Sequence, residues 1–478
     1  MNRVLLSIFL IVLMCSSFSQ ELPPLPSKPK PIKIPPFREA KLDNGLRVAV
    51  IEKRGVPLVS LCLVVRGGAS MESSEKAGLA RMTAELLTRG TTTRTAEQIA
   101  EEVEFLGGEL SSWADWNASY LLLEISSDKL DRAMPVFSDV VLNPSFRQKE
   151  IEILRSQLQD SLSYNLKQPG FLASYVASVF AYGEHPVGGT PESLKSITRQ
   201  DIVSFYKSSF LPQNSVLVIS GDISYVKATT LAKRFFDRWS SRKTLEKSEK
   251  TISHDARGGE NNFLIVDLPG SGQAAVFYAK GVGVERKQQD KFFEAQVANS
   301  VLGGGYSSRL NQEIRIKRGL SYGAGSSFAW RANRANFAAR AQTKNESAAE
   351  VAELILSEIK RLSTEDVPED EVKPRKAALI GNFARQIETN QGLARYFAEL
   401  HALQVEPQQI QSFVQSVESV KQADLKKFAS VYLNDGFFVI VGDYSKIRGE
   451  LEKRFPQVKP LVIQADKLSL ETILGVNR

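Results

Sequence analysis

The chain repeats itself once, at a period too long for a solenoid. Residues 201–222 read DIVSFYKSSFLPQNSVLVISGD, and residues 424–443 read DLKKFASVYLNDGFFVIVGD. Each copy is an amphipathic helix, a short polar break and a run of strand formers closing on Gly-Asp. The copies stand about 220 residues apart, far beyond the ~20–50 residues of stacked repeats, so what was duplicated is a whole domain. Strands come first in each copy: Val59–Val65 and Tyr120–Ile125 in the first, Phe263–Leu268 and Ala274–Val282 in the second. Helices follow. Thr95-Ala96-Glu97-Gln98 is a capping box opening a helix with Ala96, Ile99, Ala100, Val103 and Leu106 at helical spacing, closed by Gly107-Gly108. Val351, Leu354, Ile355, Ile359 and Leu362 make a matching stripe in the second copy. The expected fold is α+β: two duplicated domains, each a mostly antiparallel sheet covered by helices.

Domain limits follow from composition. Arg3, the apolar run Val4–Met14 and the small-x-small triplet Ser17-Phe18-Ser19 read as an export signal over residues 1–19. The run is too short for a membrane span, and no later segment is long and apolar enough for one. Export is therefore expected, to periplasm or exterior alike. Cys15 sits where a lipoprotein cysteine would, but Met14 precedes it where a small residue is wanted. Residues 20–36 hold seven prolines and three lysines, and 20–40 reads as an extended linker. The first domain is assigned to 41–245, a hydrophilic interdomain linker to 246–262 and the second domain to 263–465.

Charge and rare residues narrow the chemistry. The net charge of +7 is spread through short alternating runs, so no concentrated nucleic-acid footprint exists. Cleavage of the signal would leave one cysteine, Cys62, in an apolar strand, where it reads as a buried hydrophobe. The three histidines, His185, His254 and His401, stand far apart, which argues against a histidine-rich metal site. Gly303–Gly305 lacks the ending of a phosphate-binding loop and reads as a tight turn opening a helix.

Several segments share a pattern with one family. Leu42-Asp43-Asn44-Gly45-Leu46-Arg47-Val48 is a strand–turn–strand opening, followed by Gly67-Gly68-Ala69-Ser70-Met71-Glu72 and Ala77-Gly78-Leu79-Ala80. Further on stand Leu142-Asn143-Pro144-Ser145-Phe146, Tyr182-Gly183-Glu184-His185-Pro186 and Leu302-Gly303-Gly304-Gly305-Tyr306-Ser307-Ser308-Arg309-Leu310. With these the chain resembles the inverted-zincin metallopeptidases: the insulinase/pitrilysin family and the mitochondrial processing peptidases. The resemblance runs from residue 41 onward and implies a half-clam built of the two domains.

The family's chemistry sits on one helix as H-x-x-E-H, two histidines binding zinc and a glutamate acting as general base. Here that helix reads Arg81-Met82-Thr83-Ala84-Glu85. Arg81 and Glu85 stand at the ligand positions and Ala84 at the base position. Arginine has no lone pair to give a metal, and alanine cannot take a proton. The family's third ligand, a downstream Glu, falls on Ser161 in a gap-free count or on Gln157 in a shifted one, with Glu152 and Asp160 nearby. A catalytic zinc needs three protein ligands, so no metal bound by this chain is expected. Arg81 and Glu85 share a helix face and are expected to pair, either as a solvated surface pair or as a buried structural one. The resemblance also implies that Arg315 and Tyr322, seven residues apart, match an Arg/Tyr pair that faces the zinc across the chamber and donates hydrogen bonds to substrate. His185, without a partner histidine, reads as a packed residue.

The expected function is that of a non-catalytic, substrate-binding subunit of an exported two-subunit zinc metallopeptidase. Zinc would reside on a homologous partner subunit, with Arg315 and Tyr322 acting in trans on short peptides. The alternatives are an inactive peptidase-fold scaffold or assembly protein, and an autonomous peptidase with an unforeseen ligand set.

Overall fold

The computed structural model describes residues 32–240 and 262–475. Twelve strands form two six-stranded sheets. The first sheet uses β1 (Phe37–Lys41), β2 (Arg47–Glu52), β3 (Leu58–Val65), β4 (Glu109–Ala114), β5 (Ser119–Ser126) and β6 (Ser215–Gly221), in the order β1-β2-β6-β3-β5-β4. The second uses β7 (Phe263–Asp267), β8 (Ala274–Val282), β9 (Ala324–Trp330), β10 (Ala335–Thr343), β11 (Phe437–Gly442) and β12 (Leu461–Gln464), in the order β12-β7-β11-β8-β10-β9. Both sheets are mostly antiparallel, and each has a parallel pair at the same place, β2 with β6 and β7 with β11. The strands closing on Gly-Asp in the repeated segments are β6 and β11, each third from the corresponding edge. The duplication read from the sequence is thus a duplication of topology except at one edge, where β1 is antiparallel to β2 but β12 is parallel to β7.

The helices used below are α1 (Leu79–Leu86), α2 (Ala96–Phe105), α3 (Leu130–Leu142), α4 (Gln148–Asn165), α5 (Pro169–Phe180), α6 (Arg199–Ser209), α7 (Gln289–Leu302), α8 (Ala348–Thr364), α9 (Glu369–Gln386), α10 (Asn390–Ala402), α11 (Gln422–Tyr432) and α12 (Leu470–Gly475). The Thr95 side chain accepts from Gln98 N and the Gln98 side chain from Thr95 N, the capping box that opens α2. Ile99, Val103 and Leu106 of its stripe are buried, whereas Ala100 faces solvent.

Strand β3, LVSLCLVV, is buried along nearly its whole length instead of alternating, the mark of a sheet covered on both faces. Val59, Leu61, Leu63 and Val65 join the main core, formed with the first half's own helices. The alternate residues Ser60, Cys62 and Val64 point the other way. That face is covered by α10, a helix of the second half that packs on β3 and β6. Burial pushes the Cys62 thiol up to about 12, against the opposing pull of the Arg395 charge on α10, which makes it the inert, buried side chain expected.

The loan is returned. Helix α5, PGFLASYVASVF, is apolar almost all round and lies on β8 and β11 of the second sheet; a helix of that composition is a buried one. Phe180 meets Phe437 with ring centroids 5.3 Å apart. The opposite face of the second sheet carries its own helices, α8 among them. Because of this exchange, one contiguous cluster runs from Leu61 and Leu63 through Val176 to Phe277 and Val439.

Two expected boundaries move. The linker assigned to 20–40 ends early, because β1 begins at Phe37 and pairs antiparallel with β2, Phe37 opposite Ile51 and Lys41 opposite Arg47. Its sequence, FREAK, has no strand signature; the open edge of β2 and the Arg38–Glu52 and Arg47–Glu39 pairs recruit it. The second domain does not stop at 465 either. Helix α12 follows and packs against α5, with Ile473 fully buried. The export signal, Cys15 and His254 lie outside the described residues, as does the interdomain linker up to its last residue, Asn262. No helix among the described residues is long and apolar enough to cross a membrane.

Candidate functional site

Helix α1 carries the degenerate metal motif, and its N-terminus is held by a carboxylate the sequence did not single out. Glu72 accepts from Gly78 N at 2.8 Å and from Ala80 N at 2.5 Å, satisfying two of the donors that any helix start leaves unpaired. Its side chain is fully buried, and Nε2 of His185 lies 3.1 Å from Oε1. Burial pushes the Glu72 carboxyl up, against the opposing pull of His185 and the two backbone donors. His185 is therefore a packed residue, as expected, stacked obliquely near Trp116 with centroids 5.0 Å apart.

On the same helix Arg81 Nε donates to Glu85 Oε1 at 2.7 Å. With 37% and 25% of the two side chains exposed, the pair is neither fully solvated nor buried, and a contact of this kind contributes about 0.5 kcal/mol. Ala84, at the base position, is completely buried. Across from them stands α4. Ser161 lines the same cavity as Arg81, while Gln157 accepts from Arg89 Nη2 at 2.8 Å. Glu152 is engaged by Gln148 and Arg155 instead. A guanidinium, a methyl group and a hydroxyl at three of the family's four positions do not fit a zinc ion. Among the described residues, no three His, Cys, Asp or Glu side chains gather as a metal site would require.

The loop from Tyr182 to Gly189 ties α1 to the second half. Tyr182 Oη donates to Phe337 O at 2.7 Å. Glu184 accepts from Arg331 at 3.0 and 2.6 Å and from Arg334 at 2.8 Å. Burial would raise the Glu184 carboxyl, but the hydrogen bonds and charges of the two arginines outweigh it and hold it below its ordinary value. The next residue, His185, meets Glu72, and Gly188 lies against Arg81. The motif Tyr182-Gly183-Glu184-His185-Pro186 is thus a strut from the β9–β10 hairpin to the degenerate helix.

Arg315 lies on a π-helical turn, Asn311–Lys317, a wide geometry that is frequent at functional sites. The turn is pinned by Arg309, whose guanidinium forks onto Glu371 of α9 with two bonds of 2.8 Å. Gly319 closes it at φ +63°, a left-handed conformation that favours glycine. Leu320 O then accepts from Thr343 Oγ1 at 2.6 Å, which aims the chain into β9. Gly303, where the glycine run begins, approaches the β9 backbone so closely that a Cβ would lie 2.2 Å from Ser326 N; the run is a turn, as read.

Arg315 and Tyr322, the pair the resemblance points to, lie side by side. The guanidinium carbon sits 4.9 Å from the Tyr322 ring centroid and 4.9 Å from that of Tyr306, within cation–π range on both sides. The nearby carboxylate Glu313 is taken by Lys317 and Arg318. Among the described residues no ion pair engages Arg315. Tyr322 is 91% exposed, so it is not a core residue, and the pair stands on an open surface of this chain. Tyr306, the second ring near the guanidinium, was not singled out; its place within the glycine-run motif was the available signal.

Two family models match the chain, together reaching from residue 47 to residue 379. One, "Insulinase (Peptidase family M16)", covers residues 47–179, and the other, "Peptidase M16 inactive domain", covers residues 196–379. The chain belongs to the insulinase family of peptidases. Its insulinase-family relatives include a protein named an uncharacterized zinc protease from Rickettsia felis, 27% identical over 351 residues, which are 72% of this chain and 82% of that protein. Another of that name, from Mycobacterium leprae, is 27% identical over 59% of this chain and 63% of its own length. Two solved structures share the insulinase-family fold. A peptidase M16 inactive domain from Pseudomonas fluorescens has a TM-score of 0.77 at 23% identity, over 85% of this chain and 98% of that one. A protease from Helicobacter pylori has a TM-score of 0.79 at 19% identity, over 86% and 100%. The first family model spans Arg81, Ala84, Glu85 and Ser161; the second spans Arg315 and Tyr322.

Proposed function

We propose that this chain is the non-catalytic, substrate-binding subunit of an exported two-subunit zinc metallopeptidase. A homologous partner supplies the zinc, and this chain supplies Arg315 and Tyr322 in trans. The observation that carries the reading is a contrast within one molecule. The helix at the metal position is filled by Arg81, Ala84 and Glu85, while the Arg315–Tyr322 pair is intact, engaged by no carboxylate among the described residues, and its tyrosine is turned outward. A tyrosine left 91% exposed beside an unpaired guanidinium contributes little to this chain's own packing. Its hydroxyl and the guanidinium N–H groups are donors suited to a peptide carbonyl or to the oxyanion that develops during hydrolysis.

The test is reconstitution with the partner. Arg315→Ala and Tyr322→Phe are each expected to lower turnover of the pair about 100-fold, with co-elution on size exclusion unchanged. Wild-type turnover in both variants would remove the role in trans. Purification in a complex that holds no zinc-bearing homologue would favour the scaffold reading instead.

A further inference from the structure

The cavity beside Arg81 is a feature the proposed role of Arg315 and Tyr322 does not use. It has a volume of about 310 Å³ and lies between α1, α4, α5 and the Pro186–Gly189 loop, at the small end of ligand pockets. We infer that it binds the C-terminal carboxylate of a peptide whose last side chain is apolar.

The polarity of the pocket supports this assignment. Arg81 spends Nε on Glu85, which fixes the guanidinium and leaves both Nη atoms without a bond to any described residue. Nη1 faces the cavity edge at Gly188, where even a Cβ would stand only 3.3 Å away; a side chain there would crowd the guanidinium. On the facing helix, Ser161 Oγ accepts from Asn165 Nδ2 at 3.3 Å and so keeps its own hydrogen to donate. Arg81 and Ser161 therefore present N–H and O–H groups to the cavity, where a cation site would need electron-pair donors. A site of that sign recognises an anion, and a guanidinium edge matches a carboxylate with two parallel bonds. Leu158, Leu162, Phe171 and Val187 supply apolar wall, with the α5 residues Ser174, Tyr175 and Ser178 beside them, in a space sized for one or two residues. Glu85 offsets the charge of Arg81, so binding is weak and rests on bond geometry more than on net charge.

The inference takes its ligand class from the proposed peptide role, but it involves other residues and is tested on this chain alone. Failure here leaves the Arg315–Tyr322 experiment standing, and the reverse holds too. Calorimetric titration of the full chain with N-acetyl-leucine is expected to give at least about tenfold tighter binding than N-acetyl-leucinamide, which lacks the charged acceptor. Arg81→Gln is expected to abolish that preference. Glu85→Gln, by unpairing Arg81, is expected to tighten binding of the acid about threefold or more. Both side chains are partly exposed, so both variants should melt like the parent protein. Equal affinity for acid and amide, or a preference that neither substitution moves, would overturn the site. Hexanoate binding as tightly as N-acetyl-leucine would overturn the assignment to peptide and make a short fatty acid the ligand.

Discussion

Single charges decide where the two halves of this chain meet. Glu184, 3% exposed, receives Arg331 and Arg334 from the other half, and leaving two partly buried arginines without it is costly. Glu184→Gln is expected to destabilise the protein by about 3 kcal/mol at neutral pH, read from denaturant midpoints. The sign of its pH dependence follows from the lowered carboxyl. Around and just below the ordinary value of 4.5 the unfolded chain binds more protons than the folded one, so stability rises with pH there. The contribution is present above that value and lost as pH falls through the depressed one. The gap between parent and variant should therefore close in acid, and a gap constant from neutral pH to pH ~3 would contradict the assignment. In the sequence, Glu184 and Arg331 are simply distant charges, and Glu72 is one glutamate among many. Arg315 and Tyr322 were singled out by the resemblance, and the π-turn and its stop at Gly319 are the local features that bring them side by side.

Secondary elements carry the exchange that joins the halves. Helix α5 sits on β8 and β11, and α10 sits on β3 and β6. Phe397 on α10 is fully buried and meets Phe37 of β1 with centroids 4.8 Å apart. Phe397→Ala is expected to cost about 3–5 kcal/mol, against under ~0.5 kcal/mol for Val226→Ala on an exposed helix face; comparable effects in thermal melts would place α10 off the sheet. Strand and helix identities were readable, since the capping box at Thr95 and the strand runs at Val59 and Ala274 depend on neighbours in sequence. The apolar residues around α5 state that it is buried, but not against which sheet. Strand β1 was signalled only by the strand–turn–strand opening at 42–48, since its own residues, FREAK, carry no strand pattern and the free edge of β2 makes them a strand.

As a whole, the molecule is two copies of one plan with a shared core. One contiguous cluster includes Val59 and Leu63 of the first sheet, Val176 of α5, Phe277 and Val439 of the second sheet, and Ile473 of α12. Unfolding is expected as a single cooperative transition. Residues 1–240 and 262–478 produced separately should each expose the sheet face its partner covers and should aggregate or lack a sharp melt; two independently melting halves would refute the shared core. The sequence by itself determined the duplication and the α+β class, matters of residue type, period and local spacing, while the resemblance to a known family marked Arg81, Ala84, Glu85, Arg315 and Tyr322 as positions to look at. Only the tertiary structure decided that each half lends a helix to the other's sheet, that Glu184 bridges the halves and that Arg81 edges a cavity. Those facts depend on which surfaces meet in space, and residue order along a chain carries no distance between segments a hundred positions apart.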